Sequence, residues 1–196
     1  MEDDPLDIVF GGTSRRSAPA TPRISAAAVN LIKQEEGLDQ PASWPGLNSG
    51  ISLGRGYDLG SVSEEQFRSD WQKYLPKQHL DRLAQAIGLS GADAEALAPS
   101  FKDIKVERHA ADQVFEQSTL PDYLKQAQEA FPGMEKLSPD VQGAILSNGY
   151  NRGFSMRGPR RKEIRDIRDA VARGDVPAIS TALRSSARLW ADSAPG

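Results

Sequence analysis

Residues Ser49–Gly60 read SGISLGRGYDLG, and this stretch decides how the rest of the chain is understood. Four glycines in twelve positions describe a sharply folded segment, because glycine accepts positive φ and lets backbone or ligand approach closely. Ile51-Ser52-Leu53 is its strand-like core, so the expected outcome over residues 39 to 60 is a small hairpin or irregular β-lobe. The hydroxyl of Ser52 and the carboxylate of Asp58 are displayed there. Asp58 has two readings: a turn residue whose carboxylate caps backbone amides, or a reactive acid. A phosphate-binding reading of GRGYDLG is weaker, since Leu59 stands where a dinucleotide fingerprint needs its third glycine and no Walker lysine follows.

Upstream, ISAAAVNLIKQEEG places Ser25 as N-cap, an alanine-rich helical body and Gly37 as the stop. Glu35 and Glu36 therefore fall at the negative end of a helix dipole, which, with partial burial beside a cleft, would favour a proton-carrying acid; the other reading is that both are solvated. Helical spacing does not choose between them. Downstream, Ser63 with Gln66 gives a capping-box signature, and Ser138-Pro139 opens DVQGAILSNGYN with proline at the favoured first position. Further helices are expected over Pro76–Ile87, Gly91–Leu97, Val106–Gln117, Pro121–Ala130, Arg160–Arg173 and Pro177–Leu189. The fold class is α+β and predominantly helical, with the β-element inserted after the first helix.

The 196 residues suit one domain, about 24–196, preceded by a tail over residues 1–23 that mixes Pro, Ser, Gly and charge without a period. With no cysteine there is no disulfide, thiolate metal site or cysteine nucleophile. His79 and His109 stand in separate helical segments without ligand spacing, so no metal is expected. A net charge of -3 gives no general reason to expect nucleic-acid binding, and no apolar run is long enough to span a membrane. Between Arg152 and Trp190 ten Arg or Lys face four Asp or Glu, a balance of +6 that suits an anionic polymer or a salt-bridged helix face. Arg165 and Asp169 are spaced for such a pair. The acidic opening MEDDPLDIVF does not read as a secretory signal, so action outside the cytoplasm implies another delivery route.

LIKQEEGL followed by SGISLGRGYDLG resembles the phage-type lysozymes, and more closely the muramidase domain of the bacteriocin pesticin and its toxin relatives. VQGAILSNGYNRG is similar to the buried central helix of these enzymes and RSSARLW to their penultimate helix, so the resemblance spans about Ile24 to Trp190. It implies a lysozyme-like fold and an N-acetylmuramidase that cleaves the β-1,4 bond between N-acetylmuramic acid and N-acetylglucosamine without a cofactor. By the same resemblance Glu36 is the general acid, Ser52 the hydroxyl that orients water, and Asp58 the second carboxylate, with Asp39 as the alternative. Tyr57, Asn148, Tyr150, Asn151 and Arg152 would hold the sugar chain. Family members commonly continue past the tryptophan into a final helix. The implied setting is a monomeric antibacterial toxin or effector acting in the periplasm or at the wall of a target bacterium. Its partners would be the peptidoglycan strand and an immunity protein. A phage endolysin and a catalytically silent glycan- or protein-binding module are the alternatives.

Overall fold

The fold is seen in a computed structural model that describes residues 24–35, 39–158 and 161–191 of the chain. Helix α1 spans Ala26–Glu35, and Ser25 caps it by accepting from the Ala28 N–H at 3.2 Å. A three-stranded antiparallel sheet follows, with β1 at Asp39–Ser43, β2 at Ser52–Gly54 and β3 at Tyr57–Asp58 in the order β1-β2-β3. β1 is unexpected, because Pro41 argues against a strand. It is tolerated because β1 is an edge strand, where a missing donor breaks no central ladder. The neighbouring Ala42 N–H donates outward to the Ile104 carbonyl at 3.2 Å.

The remaining elements are α2 (Glu64–Trp71), α3 (Lys77–Leu83), α4 (Ala92–Leu97), α5 (Arg108–Val114), α6 (Leu120–Ala130), α7 (Pro139–Arg152), α8 (Lys162–Arg173) and α9 (Val176–Ala191). Ser63 caps α2 and Ser138 caps α7 through their hydroxyls, as the sequence predicts. The expected break between Val106–Gln117 and Pro121–Ala130 is absent. One rod runs from Arg108 to Ala130, passing through a π-turn at Phe115–Thr119 in which the Leu120 N–H reaches back to Phe115. Pro121 lacks an N–H and its ring crowds the carbonyl four residues earlier, and the wider turn accommodates both without ending the helix.

This rod joins two separate cores. The first gathers Ile51, Leu53, Tyr57 and Leu59 from one face of the sheet with Phe67, Trp71, Leu83 and Phe101, and it takes Ala110, Ala111 and Val114 from the rod. The second gathers Phe115, Leu120 and Ala127 from the rod with Phe131, Ile145, Leu146, Ile164 and Ile167. Each fully buried Leu, Ile or Phe contributes about 1.5–3 kcal/mol relative to exposure. Ile32 places α1 in the second core, although α1 precedes the sheet in sequence. A Cβ at Gly143 would lie 2.2 Å from Ala28 Cβ, so α1 crosses α7 at nearly backbone contact. The chain is thus a predominantly helical α+β protein whose small sheet belongs to the first lobe.

Candidate functional site

Strand alternation sorts the glycine-rich hairpin into two faces. Ile51, Leu53, Tyr57 and Leu59 enter the first core, while Ser52 and Asp58, direct partners across β2 and β3, share the opposite face. The three-residue turn Gly54-Arg55-Gly56 needs both glycines, at φ +63° and +66°. Gly54 also admits close packing, since a Cβ there would meet the Trp71 ring at 3.0 Å and Ala111 Cβ at 3.2 Å. Ser52 is buried, at 6% exposure. Asp58 is half-buried, and its Oδ1 accepts from the Gly60 N–H at 2.8 Å, capping the short turn Leu59–Ser61. The turn-capping reading of Asp58 is therefore realised in the structure.

Asp58 also opens onto a pocket of about 300 Å³ between the hairpin and the rod. Gly56, Tyr57, Asp58 and Ser61 form one wall; Ser118, Asp122, Tyr123, Lys125 and Glu129 stand on the other. Tyr57, expected to touch substrate, is 3% exposed, and its hydroxyl donates to Asp70 Oδ2 at 2.8 Å. Burial first and the Asp70 hydrogen bond second push its phenol well above the ordinary tyrosine range, so Tyr57 remains a protonated donor. Asp70 also accepts from Ser118 Oγ at 2.7 Å and Gln66 Nε2 at 2.9 Å, which ties α2 and β3 to the π-turn of the rod. Gln66, expected to close a capping box, spends its amide on that network.

The four residues expected on α7 divide between two places. Tyr150 stacks on Tyr123 with ring centroids 4.1 Å apart and donates to the Arg55 carbonyl at 3.3 Å, so it backs the pocket wall. Asn148, Asn151 and Arg152 instead line a second groove of about 500 Å³ between α1, α7 and α9, with Leu31 and Leu183 on its apolar sides. There Asn148 and Arg152 both donate to Ser186 Oγ, at 3.0 and 2.6 Å. The expected sugar-holding wall is therefore split, because three of its members look toward α9.

Glu36 lies outside the described residues, as do the side chains of Glu35 and Asp39. The chain on either side of Glu36 is nevertheless fastened to the hairpin tip. The Lys33 carbonyl accepts from Arg55 Nη1 at 2.6 Å, and Asp39 pairs with Gly54 in the sheet. Arg55 Nε also donates to Asp112, whose carboxylate lies 4.0 Å from Lys33 Nζ, and Lys33 pairs with Glu116. Sequence reasoning missed Arg55, Lys33, Asp112, Glu116 and Asp70. An arginine between two turn glycines reads as a solvent-facing tip, and nothing local signals that α1 and α5 close over it.

Among the described residues of the basic stretch, two of the cations form ion pairs, and one of these pairs runs along a single helix face. Lys162 meets Asp166 at 2.5 Å and Arg152 lies 3.7 Å from Glu163. Arg165, expected beside Asp169, donates to the carbonyls of Met156 and Gly158 at 2.8 and 3.2 Å. Among the described residues no group of three His, Asp or Glu is placed to hold a metal ion, and no helix is long and apolar enough to cross a membrane. A family model described as "Domain of unknown function (DUF8812)" matches residues 36–129, a span that takes in the sheet, the first core and the rod up to Glu129. No curated protein matches the chain.

Proposed function

We propose that the protein is a lysozyme-like N-acetylmuramidase that hydrolyses the β-1,4 bond between N-acetylmuramic acid and N-acetylglucosamine in peptidoglycan. The observation that carries this reading is the seating of the glycine hairpin. It carries Asp58 to the pocket between the hairpin and the rod, keeps Ser52 buried beside it on the same face, and binds the chain on both sides of Glu36 to its own tip. The pocket of about 300 Å³ between the hairpin of the first lobe and the rod supports the reading as a place where a sugar unit would enter. The matched family span runs from Glu36 to Glu129 and so includes both walls of the pocket.

In this reading Glu36 protonates the leaving glycosidic oxygen, Ser52 orients water, and Asp58 activates that water or stabilises the developing oxocarbenium ion. Asp122 and Tyr123 line the facing wall, with Tyr150 behind them. The role is that of an antibacterial toxin or secreted effector acting on the wall of a target cell, countered in its producer by an immunity protein. Incubation with purified sacculi tests the activity. Mass spectrometry of the soluble products should show muropeptides with new reducing ends at N-acetylmuramic acid, and intact sacculi after prolonged incubation would refute the reading. A second reading, a module that binds glycan without cutting it, draws on the engagement of Asp58 Oδ1 by the Gly60 amide. Pelleting with sacculi in the absence of released product would favour it.

A further inference from the structure

The hairpin tip buries a charge that a solvent-facing turn has no need to bury. Arg55 stands between two turn glycines yet is 6% exposed. Its planar fork serves two elements at once, with Nη1 donating to the Lys33 carbonyl at 2.6 Å and Nε to Asp112 of α5. Its own carbonyl accepts from the Tyr150 hydroxyl of α7 at 3.3 Å. The last carbonyls of a helix have no partner within it, and the negative end of the dipole favours a cation, so the α1 terminus is a natural seat for guanidinium. Asp112 supplies the counter-charge, and Lys33 with Glu116 continues the alternation across the lobe boundary.

We infer that Arg55 is a positioning residue: it fastens the last turn of α1, immediately upstream of Glu36, to the hairpin that carries Ser52 and Asp58. The identity of the acid so positioned rests on the muramidase reading; the fastening does not. Arg55 touches no sugar in this account. It acts by keeping the chain that carries the acid at a fixed distance from the hairpin, where an ångström of drift costs on the order of 10²-fold in rate. Lysine is a poor substitute, because a single ammonium cannot span two partners in the plane that the guanidinium occupies.

Arg55→Ala and Arg55→Lys, each compared with wild type, test the inference by two readouts. Amide hydrogen exchange in peptides covering residues 30–40 should quicken in both variants, more in Ala, while peptides from α8 and α9 keep wild-type protection. On soluble wall fragments kcat should fall about 10²-fold in Arg55→Ala with KM little changed, and added guanidinium should restore part of it. Unchanged exchange over 30–40, or a kcat equal to wild type, overturns the inference. So does a uniform rise in exchange across the whole chain in both variants, which marks a general stability role. A wild type that cuts no wall material refutes the muramidase reading, and the exchange data then decide the fastening by themselves.

Discussion

Gly50 lies against the Asp58 carboxylate, and a single methyl group placed there tests that arrangement. Gly50 is buried, and a Cβ on it would stand 2.2 Å from Asp58 Oδ1, 2.5 Å from Gly60 N and 2.7 Å from Gly60 Cα. Its φ is not in the left-handed region, so Gly50→Ala carries no backbone penalty and its whole cost is steric. The methyl expels the Asp58 carboxylate from the Gly60 amide, losing a cap worth about 1 kcal/mol. It also forces the Gly60 backbone aside, an overpacking cost of about 1–3 kcal/mol. Together these predict a loss of about 2–4 kcal/mol in urea unfolding followed by tryptophan fluorescence. Asp58→Ala alone should cost about 1 kcal/mol, as cap removal does. In the double variant the conflict with Oδ1 disappears while that with Gly60 remains, so the two losses should fall short of additivity by about 1 kcal/mol. Gly50→Ala within 0.5 kcal/mol of wild type, or strict additivity, would refute the packing described for the hairpin.

Tyr57→Phe removes one of the hydrogen bonds to Asp70 and should cost about 1 kcal/mol at neutral pH, Ser118 and Gln66 still serving the carboxylate. Because the folded phenol titrates above its unfolded range, stability should fall as pH rises through about 10, and Tyr57→Phe should flatten part of that fall in pH-dependent urea melts. The Asp103 carboxyl is held down at about 2 by its hydrogen bonds to Arg82. Its stabilising contribution is present above about 3.9 and lost as pH drops toward 2; an NMR titration should show the low midpoint in wild type and a rise toward the ordinary value in Arg82→Ala. Gly149→Ala would set a Cβ 1.8 Å from the Phe154 ring, and chemical unfolding should register a loss of about 1–3 kcal/mol.

How much of this was legible in the sequence depends on whether the cause was local. Ser25, Ser63 and Ser138 announce their helices because a cap is a bond between residues three apart in sequence, and the hairpin is announced by glycines whose backbone angles nothing else adopts cheaply. Pro121 misled because its effect depends on what surrounds it. Alone it reads as a stop, whereas in a rod that enters one core before the π-turn and another after it the backbone widens and continues. Pro41 misled likewise, its strand surviving at the edge of the sheet. At the site, Ser52 and Asp58 could be paired from alternation within twelve residues. The burial of Arg55 could not, for its partners Lys33 and Asp112 lie 22 and 57 residues away. The resemblance puts Asn148, Asn151 and Arg152 on a sugar wall, yet the helical phase of α7 turns them to the groove beside α9 and leaves Tyr150 behind the pocket.

The central claim is that two carboxylates, one following α1 and one on the hairpin, act together on a glycan. Turbidity of a sacculus suspension tests it most directly, using wild type, Glu36→Gln and Asp58→Asn at matched concentration, each checked by circular dichroism. Wild type should clear the suspension, and both folded variants should leave it turbid. Equal clearing by all three would contradict the claim.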